Sequence, residues 1–222
     1  MLSSQTKRVS LWRRVGLGAG AGAMGLLAAA PPARSVEDVS EPVVRVEEDW
    51  QLVMNEPDEN VDSPQFHTIM SPYDNVDAHY AQVLWNYRET PNYTAGGVQL
   101  QSYDGDYLIR TRSVEYRQLS TSAEVIRWTQ SLQTDGATLT FSVFNGTSTT
   151  WGAFGRDMVI DFSASLDDLA GYSPDSSASN SYVTYGTNRV DSLSITEVRY
   201  YGADGSLLYT DSNPRVVFQY EE

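Results

Sequence analysis

Cysteine is absent from all 222 residues, lysine occurs once, as Lys7, and histidine only twice, as His67 and His79. Without cysteine there is no disulfide framework, no thiolate nucleophile and no lipobox for a bacterial lipoprotein. The chain has no G-x-S-x-G elbow, no Gly-rich loop followed by lysine and no H-E-x-x-H, so the commonest hydrolase, nucleotide and zinc-protease signatures are missing. Both histidines fall in strand-like runs, and His79 is in phase with Ala81 and Val83, so each reads first as a satisfied sheet residue. No repeat of fixed period is present, and the apolar run Val15 to Ala30 is shorter than the roughly 20 residues a membrane span needs.

What residues 1–35 do contain is five of the fifteen basic residues and no acid. A charged start, a short apolar middle and small residues at Ala33 and Ser35 predict a secretory signal peptide cut before Val36. Arg13-Arg14 ahead of a Gly-rich segment also resembles a twin-arginine export signal, and an uncleaved anchor is the remaining alternative. The expected mature chain keeps ten arginines against 29 acidic residues, a formal charge of −19. Such a surface repels nucleic acid. It suits either a salty medium or a genome that disfavours lysine.

After an acidic lead at residues 36–43, one domain is expected over 44–222. Val44 to Met54 alternates apolar and polar residues, as a half-buried strand does. Glu48 falls in phase with its apolar row, so it is either solvated near the strand's end or buried with a partner and a shifted pKa. Three Asp-Gly pairs, 104–105, 135–136 and 204–205, sit between alternating runs and predict two-residue type I′ hairpins. In the middle one, pairing of Thr134 with Ala137 sets Leu132 opposite Leu139 and Trp128 opposite Val143; in the first, Leu100 meets Ile109. The one helical candidate is SLDDLAGY, residues 165–172, with Ser165 as N-cap, while YSPDSSASNS reads as a polar loop.

About ten or eleven short strands, each with one apolar face, predict an all-β, two-sheet antiparallel sandwich of jelly-roll or concanavalin-like type. Leu193 to Tyr209, LSITEVRYYGADGSLLY, resembles the closing strands of laminin-G and concanavalin-type domains, where a strand ends in an acid-Val-Arg-aromatic run. The likeness covers under a tenth of the chain. In general texture the chain also resembles secreted proteins of marine bacteria, which implies no activity. Concanavalin-like glycosidases carry their acids as E-x-D followed by a further Glu. Here Glu47-Glu48-Asp49 precedes Gln51 and Leu52, so the third acid is missing. Carboxylates meeting from distant strands stay open as a glycosidase alternative.

Trp50, Trp85 and Trp128 lie on apolar faces and are expected in the core. Trp151 follows Asn145-Gly146-Thr-Ser-Thr-Thr in a polar stretch, where an indole beside Asn145 and Arg156 would suit a sugar ring; otherwise it caps the sandwich edge. Asp58, Glu59 and Asp62 supply hard oxygens of the kind calcium takes, as do Asp104 and Asp106, although the spacing is not that of an EF-hand and a solvated acidic turn is the first reading. No cofactor is required by any motif. The expected function is a secreted, non-catalytic module binding a polysaccharide or another cell-envelope polymer, with a structural or assembly protein of the envelope as the alternative.

Overall fold

A computed structural model describes residues 41–56, 64–86, 96–118 and 123–221. Thirteen strands follow one another as β1 (Arg45–Met54), β2 (Gln65–Met70), β3 (His79–Trp85), β4 (Gly96–Asp104), β5 (Tyr107–Gln118), β6 (Glu124–Thr134), β7 (Thr138–Ser148), β8 (Gly152–Phe154), β9 (Met158–Ser163), β10 (Tyr182–Tyr185), β11 (Val190–Tyr201), β12 (Leu207–Asp211) and β13 (Arg215–Gln219). They form two antiparallel sheets, the all-β sandwich the alternation predicts. The eight-stranded sheet runs β12-β11-β1-β6-β7-β8, with β13 also on β11 and β9 also on β7; the five-stranded sheet runs β10-β2-β3-β4-β5. The two strands beyond the expected eleven are β8 and β10, three and four residues long. Runs that short carry too few alternations to be read.

The inner faces meet in an aromatic column. Trp50 stacks on Trp128 at 6.0 Å within the large sheet, and Trp128 meets Trp85 of the small sheet at 4.8 Å. Phe66 packs against both Trp85 and Trp128. All three tryptophans are 1% exposed, in the core as their phase requires. The buried indole nitrogen of Trp128 has no hydrogen-bond partner among the described residues. Leaving such a donor unpaired costs about 1 to 3 kcal/mol, less than burying a ring of this size returns. A polar bridge crosses the interior: Gln130 Nε2 of β6 donates to Thr68 Oγ1 of β2, which also accepts from Trp85 Nε1.

Next to the turns at Gly105 and Gly136 the hairpin registers differ from expectation by two residues. Thr134 pairs with Leu139 and Leu132 with Phe141, and the Asp135 N–H donates to Thr138 O, so the two-residue loop is Gly136-Ala137. Asp135 sits before the loop, where its carboxylate accepts from the N–H groups of Ala137 and Thr138. That Asx geometry fixes Asp135 ahead of the turn and gives Gly136, at φ 93°, the first central position. Asp104 likewise pairs with Tyr107, around Gly105. A shift of two residues leaves every side chain on its face, so Leu132, Leu139, Phe141 and Val143 stay inside; Val143 pairs with Gln130 and not with Trp128, and beyond a bulge in β7 Ile126 and Trp128 are buried as well. In the first hairpin a bulge at Ser102/Tyr103 then shifts the register again: Leu100 pairs with Arg112, not Ile109, and Ile109 is exposed. At Asp204-Gly205 the loop has three residues, closed by Gly202 N–H to Ser206 O and Gly205 N–H to Gly202 O.

The helix is not where the capping pattern put it. SLDDLAGY is irregular, because the Leu169 N–H donates to Val43 O and the Leu169 side chain is sealed in the core. Instead the helix α1 spans Pro174–Asn180, in the stretch read as a Ser-rich loop. Ser173 caps it by accepting from the Ser176 N–H, Pro174 supplies a helical φ in the first turn, and Asp175 lies at the positive end of the dipole.

Glu48 is fully buried. It accepts from Trp50 Nε1 at 2.9 Å and Tyr172 OH at 2.6 Å, which ties β1 to the segment leading into α1. Burial pushes its carboxyl up to about 7, against weaker opposing effects of Ser177, Tyr172, Trp50 and Arg215. Between the ordinary carboxylate range and that value the folded chain keeps a proton that the unfolded chain has released, so stability falls as pH rises through the window. Glu48→Gln removes this loss. Its urea midpoint, compared with that of the parent chain at pH 5 and pH 8, should show an advantage that grows by roughly 2 to 3 kcal/mol at the higher pH. An advantage independent of pH would mean that Glu48 does not hold its proton.

Candidate functional site

Because side chains alternate along a strand, the residues that build the core on β2, β3 and β4 also determine what the small sheet shows outward. Phe66, Thr68 and Met70 face in, which turns His67 out; Ala81, Val83 and Trp85 do the same for Tyr80 and Gln82, and Val98, Leu100 and Ser102 for Gln99, Gln101 and Tyr103. The pairings bring these outward residues side by side: His67 beside Tyr182, Tyr80 beside Tyr103, Gln82 beside Gln101 and Gln99 beside Ser113.

The result is a hydrogen-bonded chain that crosses four strands. His67 Nδ1 lies 3.3 Å from Gln82 Oε1; Gln82 Nε2 donates to Gln101 Oε1 at 2.5 Å; Gln101 Nε2 donates to Gln99 Oε1 at 2.6 Å; Gln99 Nε2 donates to Ser113 Oγ at 3.0 Å. Tyr103 OH adds a bond to Gln101 Oε1 at 2.8 Å. Since an amide oxygen only accepts, the Nδ1 of His67 carries the hydrogen, and Nε2 is left as an acceptor. Aromatic rings flank the chain: His67 stacks on Tyr182 at 4.4 Å and Tyr80 on Tyr103 at 4.7 Å. Gln82 and Gln101 are almost sealed although they point outward, while Tyr182 is half exposed. The amides are therefore a floor, and the rings stand around it.

Burial decides the protonation states. It pushes the His67 imidazole below its ordinary value, the bond from Gln82 opposing this more weakly, so the ring is neutral at pH 7. Burial likewise holds the phenols of Tyr80, Tyr103 and Tyr182 above their ordinary range.

No protein-family model matches this chain, and no curated protein does.

The residues singled out from the sequence are dispersed. Trp151 is half-buried; its ring lies parallel to Trp85 at 6.3 Å and edge-on to Phe154 at 5.6 Å, at the end of the core. Its turn is held by Glu124, which accepts from the N–H and hydroxyl of Thr149 and from Ser148 Oγ. Burial would raise the Glu124 carboxyl, but these bonds outweigh it and hold it low. Asn145 is exposed on the opposite face of the large sheet, at φ 54° beside a bulge in β7, and lines a cleft of about 430 Å³ with Arg127, Thr129, Thr147, Asp49 and Arg199. Arg156 is exposed. Trp151 and Asn145 thus face opposite ways and form no common platform. Asp58, Glu59 and Asp62 lie outside the described residues. Among the described residues no three Asp, Glu or His side chains gather as a metal site.

The carboxylates of β1 are also committed. Arg199 bonds both oxygens of Asp49, as well as Glu197 and Glu47, which raises its own pKa further. His79 stands apart from the amide chain, 3.5 Å from Asp104 and edge-on to Phe162. Sequence reading missed the amide chain because glutamine in a strand reads only as the polar face. The signal was nonetheless present: Gln99, Gln101 and Tyr103, and Tyr80 and Gln82, recur at period two.

A proton NMR titration should find the His67 ring with a midpoint below 6.5, assigned by comparison with His79→Gln. A midpoint at or above 6.5 would contradict the burial and the bond to Gln82.

Proposed function

We propose that the protein is a secreted, non-catalytic module that binds a polysaccharide or another cell-envelope polymer through the outward face of the five-stranded sheet. The observation that carries this is the amide chain from His67 to Ser113 with stacked rings beside it. Sugar hydroxyls both donate and accept, and so do carboxamides, phenols and the Ser hydroxyl. The apolar C–H face of a sugar ring lies well on an aromatic ring. Mutual hydrogen bonds hold the amides in place before any ligand arrives, which lowers the ordering cost of binding. The charged start and short apolar run of residues 1–35 support export. No helix among the described residues is long and apolar enough to cross a membrane.

A second reading, an assembly protein of the envelope, is favoured by one observation. The edge strand β5 exposes Tyr107, Leu108 and Ile109 at 77, 50 and 54%. Unpaired strand edges are templates for another chain. A glycan array on the purified protein separates the two. Binding that falls roughly tenfold in Gln101→Ala supports the module. Concentration-dependent oligomers in sedimentation, with no glycan retained, support assembly.

A further inference from the structure

We infer that the ligand is an uncharged glycan chain lying across the strands of the small sheet, in the direction of the hydrogen-bonded row from His67 to Ser113; this rests on the glycan-binding reading above.

The first ground is charge. The chain carries 29 acidic residues and 15 basic ones, yet none of the described outward-facing side chains of β2, β3, β4, β5 and β10 is a carboxylate, an arginine or a lysine. Two arginines stand next to the row in β5, and both are turned away. Arg110 pairs with buried Ser102, and Arg112 with buried Leu100, so their side chains lie on the inner side. There Arg110 donates to Asp161 O and Oδ2, and Arg112 to Val159 O, closing the gap to β9. An acidic glycan needs guanidinium or ammonium partners for its carboxylates or sulfates, and among the described residues this face offers none. The protein's net charge of −14 also repels such polymers before contact. A polycation fares no better: among the described residues, the carboxylate that acts on Tyr80 is Asp106, which stands in the β4–β5 turn and not on the sheet face. His67 adds no charge at neutral pH.

The second ground is direction. The bonded side chains step from β2 to β3, β4 and β5, at right angles to the strands, and Tyr182 on β10 continues the line by its stack on His67. Four inter-strand steps span roughly 19 Å. That exceeds one sugar ring. A polymer laid along this line meets polar groups in succession, with the ring of Tyr182 at one end and those of Tyr80 and Tyr103 beside its middle, whereas a polymer laid along the strands would leave the row after one or two of them.

Isothermal titration of the full chain against neutral polysaccharides (a β-glucan, a xylan, a mannan) and acidic ones (an alginate, a sulfated galactan) tests this at physiological ionic strength. A length series of neutral oligosaccharides and the variants Tyr182→Ala and Gln101→Ala, checked for folding by circular dichroism, complete it. Expected is binding to a neutral polymer, affinity that climbs from monosaccharide to longer oligomers, and a loss of roughly tenfold in each variant. Tighter binding of the acidic polymers would overturn the uncharged ligand while leaving glycan binding standing. Neutral binding that is as strong for the monosaccharide, or that survives both variants, would remove the ligand from this row. Binding of neither class would overturn both readings.

Discussion

The contact of Trp128 with Trp85 joins the two halves of the molecule. Trp128 belongs to β6, at the centre of the large sheet, and Trp85 ends β3, at the centre of the small one; Trp50 backs the first ring and Phe66 braces both. With no disulfide to cross-link the layers, their separation and relative placement depend on packed side chains. Large rings are well suited to this, because each buries on the order of 200 Å² of surface in a single side chain.

The same contact governs the outer surface. A strand cannot present Val83 and Trp85 inward without presenting Gln82 outward, nor bury Leu100 without turning out Gln101. Register within β3 and β4 is strongly specified because a one-residue slip would send that apolar row to water. Site geometry is therefore inherited from the core. Glu48 is the exception inside: a carboxylate in the apolar row, held by Trp50 and Tyr172, that links β1 to the chain entering α1 and makes this junction sensitive to pH near neutrality.

Much of this was legible in the sequence. The alternation of Val46, Trp50, Leu52 and Met54, and that of Trp128, Leu132, Phe141 and Val143, marked the core faces, since period-two burial is a local property of each strand. Turn register was less legible. Asp-Gly can occupy the two central positions of a turn, or place Asp before it as an acceptor for the loop N–H groups, and the dipeptide alone does not distinguish them. The helix was misplaced because SLDDLAGY and SPDSSASN both carry caps, and a tertiary bond from Leu169 to Val43, invisible in sequence, withdrew the first. Trp151 shows the same limit: its neighbours in sequence are polar, while its neighbours in space are Trp85 and Phe154. The amide row needed four strands to be placed side by side, and only the strand order does that.

Urea unfolding of Trp128→Ala beside Tyr182→Ala tests most directly whether the inter-sheet rings support the fold and the outward rings do not. Loss of Trp128 should cost about 3 to 5 kcal/mol, because a cavity opens between the sheets. Loss of the half-exposed Tyr182 should cost about 1 kcal/mol or less. Equal losses, or a tolerant Trp128→Ala, would contradict the account.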